Sequence, residues 1–536
     1  MLRTSIWRDG QWETKHPEGK ALAVKIVFLI VFFLIMALVG VFCRRHATDV
    51  SGFVLGDRGV GPWLTAFAYG TSYFSAVIFV GYAGQFGWKF GIASTWIGIG
   101  NALLGSLLAW VVLGRRTRVM TQHLNSATMP EFFGVRYGSK ALKIAASVIV
   151  FVFLIPYTAS LYNGLSRLFE MAFHIDYTVC VIVMSALTGV YVVVGGYMAT
   201  AINDLIQGMI MLFGIVAVVM AVLNGQGGFS QALVSLSQVS DASYEMNGAF
   251  TSFFGPDPLG LLGVVILTSL GTWGLPQMVQ KFYAIKNEKA VSTGTVISTI
   301  FALVVAGGCY FLGGFGRLFS DSVETAANGT IIYDSVIPAM LKDLPDVLIG
   351  IVVILVLSAS MSTLSSLVLT ASSTLTLDFI VPLSRRETTE KRKLLLMRIL
   401  VVFFIVVSAA IAIVQAKSAV TFIAQLMGIS WGALAGAFLA PFLYGLYWKR
   451  TTKLAVWVSF GVGVGVMVAN LFAAKLFPPL LQSPINAGVF AMLLGLVLVP
   501  VVSLLSPRPD STQVDGMFAC YDKEITVSVK HSLQDK

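Results

Sequence analysis

Charge is what this chain has least of: 12% of its 536 residues are Asp, Glu, Lys or Arg, about half of ordinary soluble usage. Apolar residues fill the gap at 57% and recur as runs of about 20, the length a helix needs to cross a bilayer. That excludes a soluble globular fold and points to an all-α polytopic membrane protein. Histidine is nearly absent: His16, His46, His123, His174 and His531 are scattered, and none pairs with an acid at catalytic spacing within a span, which argues against a membrane-embedded enzyme. Cysteine is scarce too. Cys43, Cys180, Cys309 and Cys520 show no metal or redox spacing and read as small core residues. No selectivity-filter motif is repeated, so a channel has no support.

The net charge of +10 is a topology signal, with no implication of a nucleic-acid partner. Apolar windows predict about 13 transmembrane helices, near 24–43, 62–83, 93–113, 140–166, 175–194, 200–223, 258–280, 291–314, 347–379, 396–416, 419–446, 454–473 and 486–505. Lys25–Val41 is too long for a cleavable leader and reads as part of the first span. Five basic loops fall on one side: Arg44/Arg45/Arg58, Arg115/Arg116/Arg118/Arg136, Lys281/Lys286/Lys289, Arg385/Arg386/Lys391/Arg392/Lys393 and Lys449/Arg450/Lys453. That side is expected to be cytoplasmic, which puts the N-terminus outside and the C-terminus inside the plasma membrane. Residues 1–23 then form an extracytoplasmic segment. Asn224–Gly255 forms an external loop of limited structure, and 506–536 a solvated cytoplasmic tail.

Two spans look interrupted in corresponding places. Thr65–Ala76 is polar around Gly70, and Thr268–Gln277 contains Gly271, Gly274 and Pro276. They lie five spans apart, so 62–223 and 258–446 would be five-helix repeats of inverted topology. The helix 24–43 and the pair in 454–505 would be peripheral. Matched broken helices point to a transporter site at the midplane, although Gly and Pro are also simply common in membrane helices.

Six hydroxyls crowd into Ser358–Ser366, within the apolar span 347–379. Ser362, Ser365 and Ser366 stand at i, i+3 and i+4 and share a helical face. Such a density of oxygen suits a small hard cation; each hydroxyl could also bond back to its own helix. Among acids the sequence singles out one at membrane depth, Asp204 in Ala201–Gln207, a functional candidate because an isolated carboxylate is costly there.

With these residues in view the chain resembles the sodium/solute symporter family over nearly its whole length. Phe53–Pro62 resembles the entry to that family's first core helix, and Thr128-Met129-Pro130-Glu131-Phe132-Phe133 its internal loop. Gly195-Gly196-Tyr197-Met198-Ala199 with Asn203, Asp204 and Gln207 resembles its fifth core helix, and Met361-Ser362-Thr363 its eighth. Tyr197, after the glycine pair, is a small departure. The resemblance implies a sodium site built from the carbonyls of Thr71, Phe74 and Ala359 and the hydroxyls of Ser362 and Thr363. A second site, found in some members, would use Asp204, Ser362, Ser365 and Ser366. Gly274-Leu275-Pro276, Val336-Ile337-Pro338 and Ser72–Ala76 are most similar to the proline and pantothenate branch, which implies Ser75 and Tyr157 as solute contacts. Thr268, Thr272 and Tyr73 depart from the proline carriers. Thr272 and Trp273, beside the second broken helix, complete the expected pocket.

The function implied is secondary active transport: inward sodium flow drives symport of a small organic acid or amino-acid-like solute by alternating access. Proton coupling through Asp204 is the alternative within transport. Na+, the solute and the lipid bilayer are the expected partners, and no cofactor is expected beyond Na+ as coupling ion.

Overall fold

Inside a bilayer every backbone N–H and C=O must find a partner within the protein, and a long apolar helix satisfies its own. The chain accordingly folds almost entirely as helix. The computed structural model describes residues 5–8, 11–14, 18–173, 176–241, 248–326, 328–384, 388–416 and 423–522. The one β element among them pairs Ser5–Arg8 antiparallel with Gln11–Thr14, ahead of a first helix running Glu18–Cys43.

Among the described residues ten helical runs are long and apolar enough to span, and an eleventh appears if the bent pair Pro258–Gly274 and Pro276–Ala284 counts as one. The thirteen expected from the sequence are therefore not reproduced as separate helices. Two runs explain the difference: Val77–His123 has 47 residues and Tyr177–Gly225 has 49. At about 1.5 Å per residue each is roughly 70 Å long, far beyond a single crossing. Each carries a glycine outside helical geometry, Gly91 at φ 61°, ψ −143° and Gly196 at φ 55°, ψ −149°. Only glycine adopts that region readily.

Burial separates centre from rim. The Asp346–Leu383 and Ile423–Tyr447 spans are 72% and 83% buried over their most apolar windows, whereas Ile26–His46 is 22% buried. The Asp346–Thr374 helix packs against Tyr177–Gly225 and Lys140–Phe173, and Glu288–Gly313 packs against Pro62–Tyr73. Val60 exchanges backbone hydrogen bonds with the far end of the chain's middle: its N–H donates to Ala284 O (3.2 Å) and its O accepts from Lys286 N–H (2.9 Å). The entrance to one interrupted helix is thereby fastened to the exit of the other.

Two segments expected to be loose contain ordered stretches, residues 242–247 and 523–536 of them lying outside the described residues. Between 224 and 255 the chain forms the Phe229–Ser237 helix and a short turn at Ala249–Thr251, with Ala232, Leu236 and Phe250 buried. Apolar residues every four positions let it lie on the body. The described part of the tail, up to residue 522, is docked on the body. Its Ser511–Phe518 helix is held by Lys449–Asp515 (2.7 Å), by His123 Nε2 on Gly516 O (3.0 Å), and by Tyr521 OH donating to Arg116 O (3.2 Å). Val514, Met517 and Phe518 are buried beneath it.

Close packing rests on glycine. A Cβ on Gly87 would fall 2.0 Å from Gly313 O, one on Gly313 2.1 Å from Ala83 O, and one on Gly98 2.5 Å from Gly307 Cα. Backbone cannot yield as a side-chain tip can. Gly313→Ala should therefore destabilise the protein by about 3 kcal/mol, the upper end of overpacking costs. Thermal unfolding in detergent, with Gly461→Ala as control because a Cβ there meets nothing within 4 Å, checks this. Equal midpoints for the two variants would refute the close approach.

Candidate cation and solute site

The Pro62–Tyr73 helix stops at Phe74, whose backbone is extended at φ −84°, ψ 119°. The second interrupted helix stops at Leu275 with nearly the same angles, φ −87°, ψ 119°. Pro276 then sits at the first position of the next helix, where its missing N–H costs nothing. Gly70 does not mark the first break as expected. It lets Phe301 approach, since a Cβ there would fall 2.4 Å from that ring. In a continuous helix Thr71 O would receive the Ser75 N–H. After the break Ser75 turns away, and the Thr71 and Phe74 carbonyls need other donors.

The Asp346–Thr374 helix supplies them. Thr363 Oγ1 lies 3.0 Å from Thr71 O, 3.2 Å from Phe74 O and 3.1 Å from Ala359 O. Ser362 Oγ lies 3.2 Å from Thr71 O and 3.0 Å from Ala359 O. All five residues singled out in the sequence thus converge, and all are buried. The cluster holds three carbonyl and two hydroxyl oxygens and no charge. Each hydroxyl that now donates to a carbonyl can rotate and present a lone pair, so the set suits a hard monovalent cation.

The second expected set comes together differently. Ser366 Oγ receives a hydrogen bond from Lys281 Nζ (3.0 Å) and lies 2.8 Å from Ser72 Oγ. Lys281 Nζ is 3.8 Å from Asp204 Oδ2 and 5.2 Å from the centre of the Tyr197 ring. Ser362 belongs to the five-oxygen cluster, and Ser365 turns its hydroxyl onto Ser362 O (2.9 Å). Lys281 is 3% exposed, so its assignment to a basic loop is corrected. The available signal was Gln277, Gln280 and Lys281 at i, i+3 and i+4 on one face of Pro276–Ala284.

Of the expected solute contacts, Ser75 and Tyr157 meet. The Tyr157 hydroxyl faces Ser75 and Trp431, and its ring lies edge-on to Trp431 at 5.9 Å. Ser75 Oγ, Tyr157 OH, Trp431 Nε1, Tyr73 OH and Tyr310 OH are buried and have no hydrogen-bond partner among the described residues. A native interior rarely leaves so many polar atoms unmet without a ligand or water to meet them. Thr272 and Trp273 do not join them. Thr272 Oγ1 donates to Ser269 O (2.8 Å), and Trp273 Nε1 donates to Leu104 O (3.0 Å) on the third expected span.

Residues 53–463 match the family model described as the sodium:solute symporter family. The chain belongs to that family. It is 30% identical over 517 residues to a sodium/proline symporter of Staphylococcus aureus (strain JH9), covering 94% of each chain. It is 26% identical over 487 residues to an osmoregulated proline transporter of Bacillus subtilis (strain 168), covering 90% of this chain and 95% of that one. Its fold matches a Na+-coupled sialic acid symporter solved in a substrate-bound outward-open state, with TM-score 0.68 and 16% identity over 90% of this chain and 98% of that one. The protein is a sodium-coupled symporter of a small solute, a multi-pass membrane protein and a transporter rather than an enzyme.

The symporter holds a second buried acid besides Asp204. Asp378, at the end of the hydroxyl-rich span, accepts from Thr128 Oγ1 (2.5 Å) and pairs with Lys143 Nζ (3.2 Å), which also reaches Glu131 Oε1 (2.9 Å). Thr128 and Glu131 belong to the internal-loop motif, so the motif's polar residues bind the loop to the core. Asp204 is thus not the single acid at depth. Asp378→Asn leaves Lys143, which is part-buried, with only Glu131 and should destabilise by about 2 kcal/mol. Lys143→Met in the same chain should recover part of that loss in a double-mutant cycle of unfolding midpoints. Purely additive losses would mean the pair is not coupled.

Proposed function

We propose that the coupling Na+ binds among Thr71, Phe74, Ala359, Ser362 and Thr363, and that a small organic acid or amino-acid-like solute binds beside it at Ser75 and Tyr157. The observation that carries this reading is the convergence of five buried, uncharged oxygens on a helix break, with Thr363 Oγ1 within 3.2 Å of three carbonyls. Ser75 directly follows the residue whose carbonyl enters the cation set, so ion and solute share one stretch of backbone. Trp431, Tyr73 and Tyr310 extend the solute pocket, and Thr272 and Trp273 support it from behind through the third expected span. Proline is the natural first probe, given the two relatives.

Coupling follows from where the oxygens come from. Thr71 and Phe74 lie in 62–223, and Ala359, Ser362 and Thr363 lie in 258–446. If these are inverted five-helix repeats, an ion bound by both favours one arrangement of the two. The matched backbone angles at Phe74 and Leu275 support that division. Helix 24–43 and the pair in 454–505 would then be peripheral. Residues 1–23 would lie outside, and the tail after 506 on the cytoplasmic side, where its contacts with Arg116 and Lys449 keep company with the basic loops. Asp204, Ser362, Ser365 and Ser366 would border a second cation position.

Ser362→Ala with Thr363→Ala removes two of the five oxygens at nearly constant volume. Na+ affinity, read as sodium-induced thermal stabilisation of purified protein, should fall at least tenfold, about 1.4 kcal/mol. An unchanged sodium response in a folded double variant would refute the site. Tyr157→Phe keeps the ring and removes the hydroxyl. It should weaken sodium-stimulated proline uptake about tenfold while leaving the sodium response intact; loss of the sodium response instead would place Tyr157 in the cation shell.

A further inference from the structure

Asp204 sits fully buried with both carboxylate oxygens free of hydrogen bonds among the described residues. A carboxylate so placed requires a cation. The cation already there is the ammonium of Lys281. Its Nζ donates to Ser366 Oγ (3.0 Å), lies 3.8 Å from Asp204 Oδ2 and stands 5.2 Å from the centre of the Tyr197 ring. We infer that Lys281 occupies the place of a second coupling ion, so that this symporter binds one Na+ per chain.

The inference rests on the five-oxygen site proposed above for the one sodium ion. Lys281 performs the structural task of an ion. It stands on the half-helix that follows the second break and reaches Asp204 on the Tyr177–Gly225 helix, joining the two halves of the chain. Its influence reaches the five-oxygen cluster through hydroxyls. Lys281 donates to Ser366, and Ser366 lies 2.8 Å from Ser72, the residue next to Thr71 in the chain. A tethered ammonium never dissociates, so it adds no ion to the transport cycle. A free Na+ entering beside it would meet a like charge with Asp204 already neutralised.

Equilibrium binding of radioactive Na+ to the purified full-length protein tests this. The wild type should bind one Na+ per chain with a Hill coefficient of one. Lys281→Ala should raise the count to two, Lys281→Arg should keep it at one, and Asp204→Asn added to Lys281→Ala should return it from two to one. Two sodium ions in the wild type, or one in folded Lys281→Ala, would overturn the inference. Should Lys281→Ala be too unstable to purify, the wild-type count decides alone. A wild-type count of zero, or a count of one that survives Ser362→Ala with Thr363→Ala, overturns the five-oxygen assignment instead and is read separately from the Lys281 result.

Discussion

An interrupted helix inside a bilayer leaves carbonyl oxygens that water cannot reach, and the rest of this protein is arranged around that debt of hydrogen bonds. Thr71 O and Phe74 O lose their helical donors at the first break. Ser362 and Thr363 meet them from a helix almost three hundred residues away. The hydroxyls must be where they are because the carbonyls would otherwise be orphaned. The same oxygens, once the hydroxyls rotate, form a neutral shell for a cation. Stability of the empty state and affinity for the ion are thus two uses of a single cluster.

The surrounding packing holds that cluster in register. Glycine backbones in contact at Gly87, Gly98, Gly307 and Gly313 leave the Glu288–Gly313 helix no freedom to slide. The Val60 bridge ties the entry of one broken helix to the exit of the other. At the far end of the hydroxyl-rich span, Asp378 fixes the internal loop through Thr128 and Lys143. Two acid–lysine pairs, Asp204–Lys281 through Ser366 and Lys143 on Asp378, therefore act on the span that carries Ser362 and Thr363, at successive points beyond those two residues. A shift of that helix must be accommodated at both, which suits a switch between two discrete arrangements.

Much of this was legible in composition. The density of hydroxyls in Ser358–Ser366 marked the ion helix because nothing facing lipid uses so much oxygen. The Gly271–Pro276 interruption was equally plain. The first break was read four residues early, because Gly70 serves close approach by Phe301, while Phe74 and Ser75 carry no helix-breaking signal and are turned by tertiary contacts. Lys281 was hidden by the positive-inside pattern, in which a lysine at a span's end reads as a loop residue. Asp378 was overlooked for a similar reason, lying within a segment whose hydroxyls and aliphatics dominate. Thr272 and Trp273 stand beside a break as expected, yet their hydrogen bonds run to Ser269 and Leu104, and sequence cannot choose which neighbour a donor will face. The missed Trp431 had little polar context nearby in its span beyond the adjacent Ser430 and Gln425.

The most direct measurement is a density map of the symporter at saturating sodium and again in sodium-free potassium or choline buffer, at a resolution that separates ordered ions from water. One density should appear, present only with sodium, enclosed by the oxygens of Thr71, Phe74, Ala359, Ser362 and Thr363, with the two hydroxyls rotated off the carbonyls. Sodium-dependent density elsewhere, with Ser362 and Thr363 still donating to Thr71 and Phe74, would contradict it.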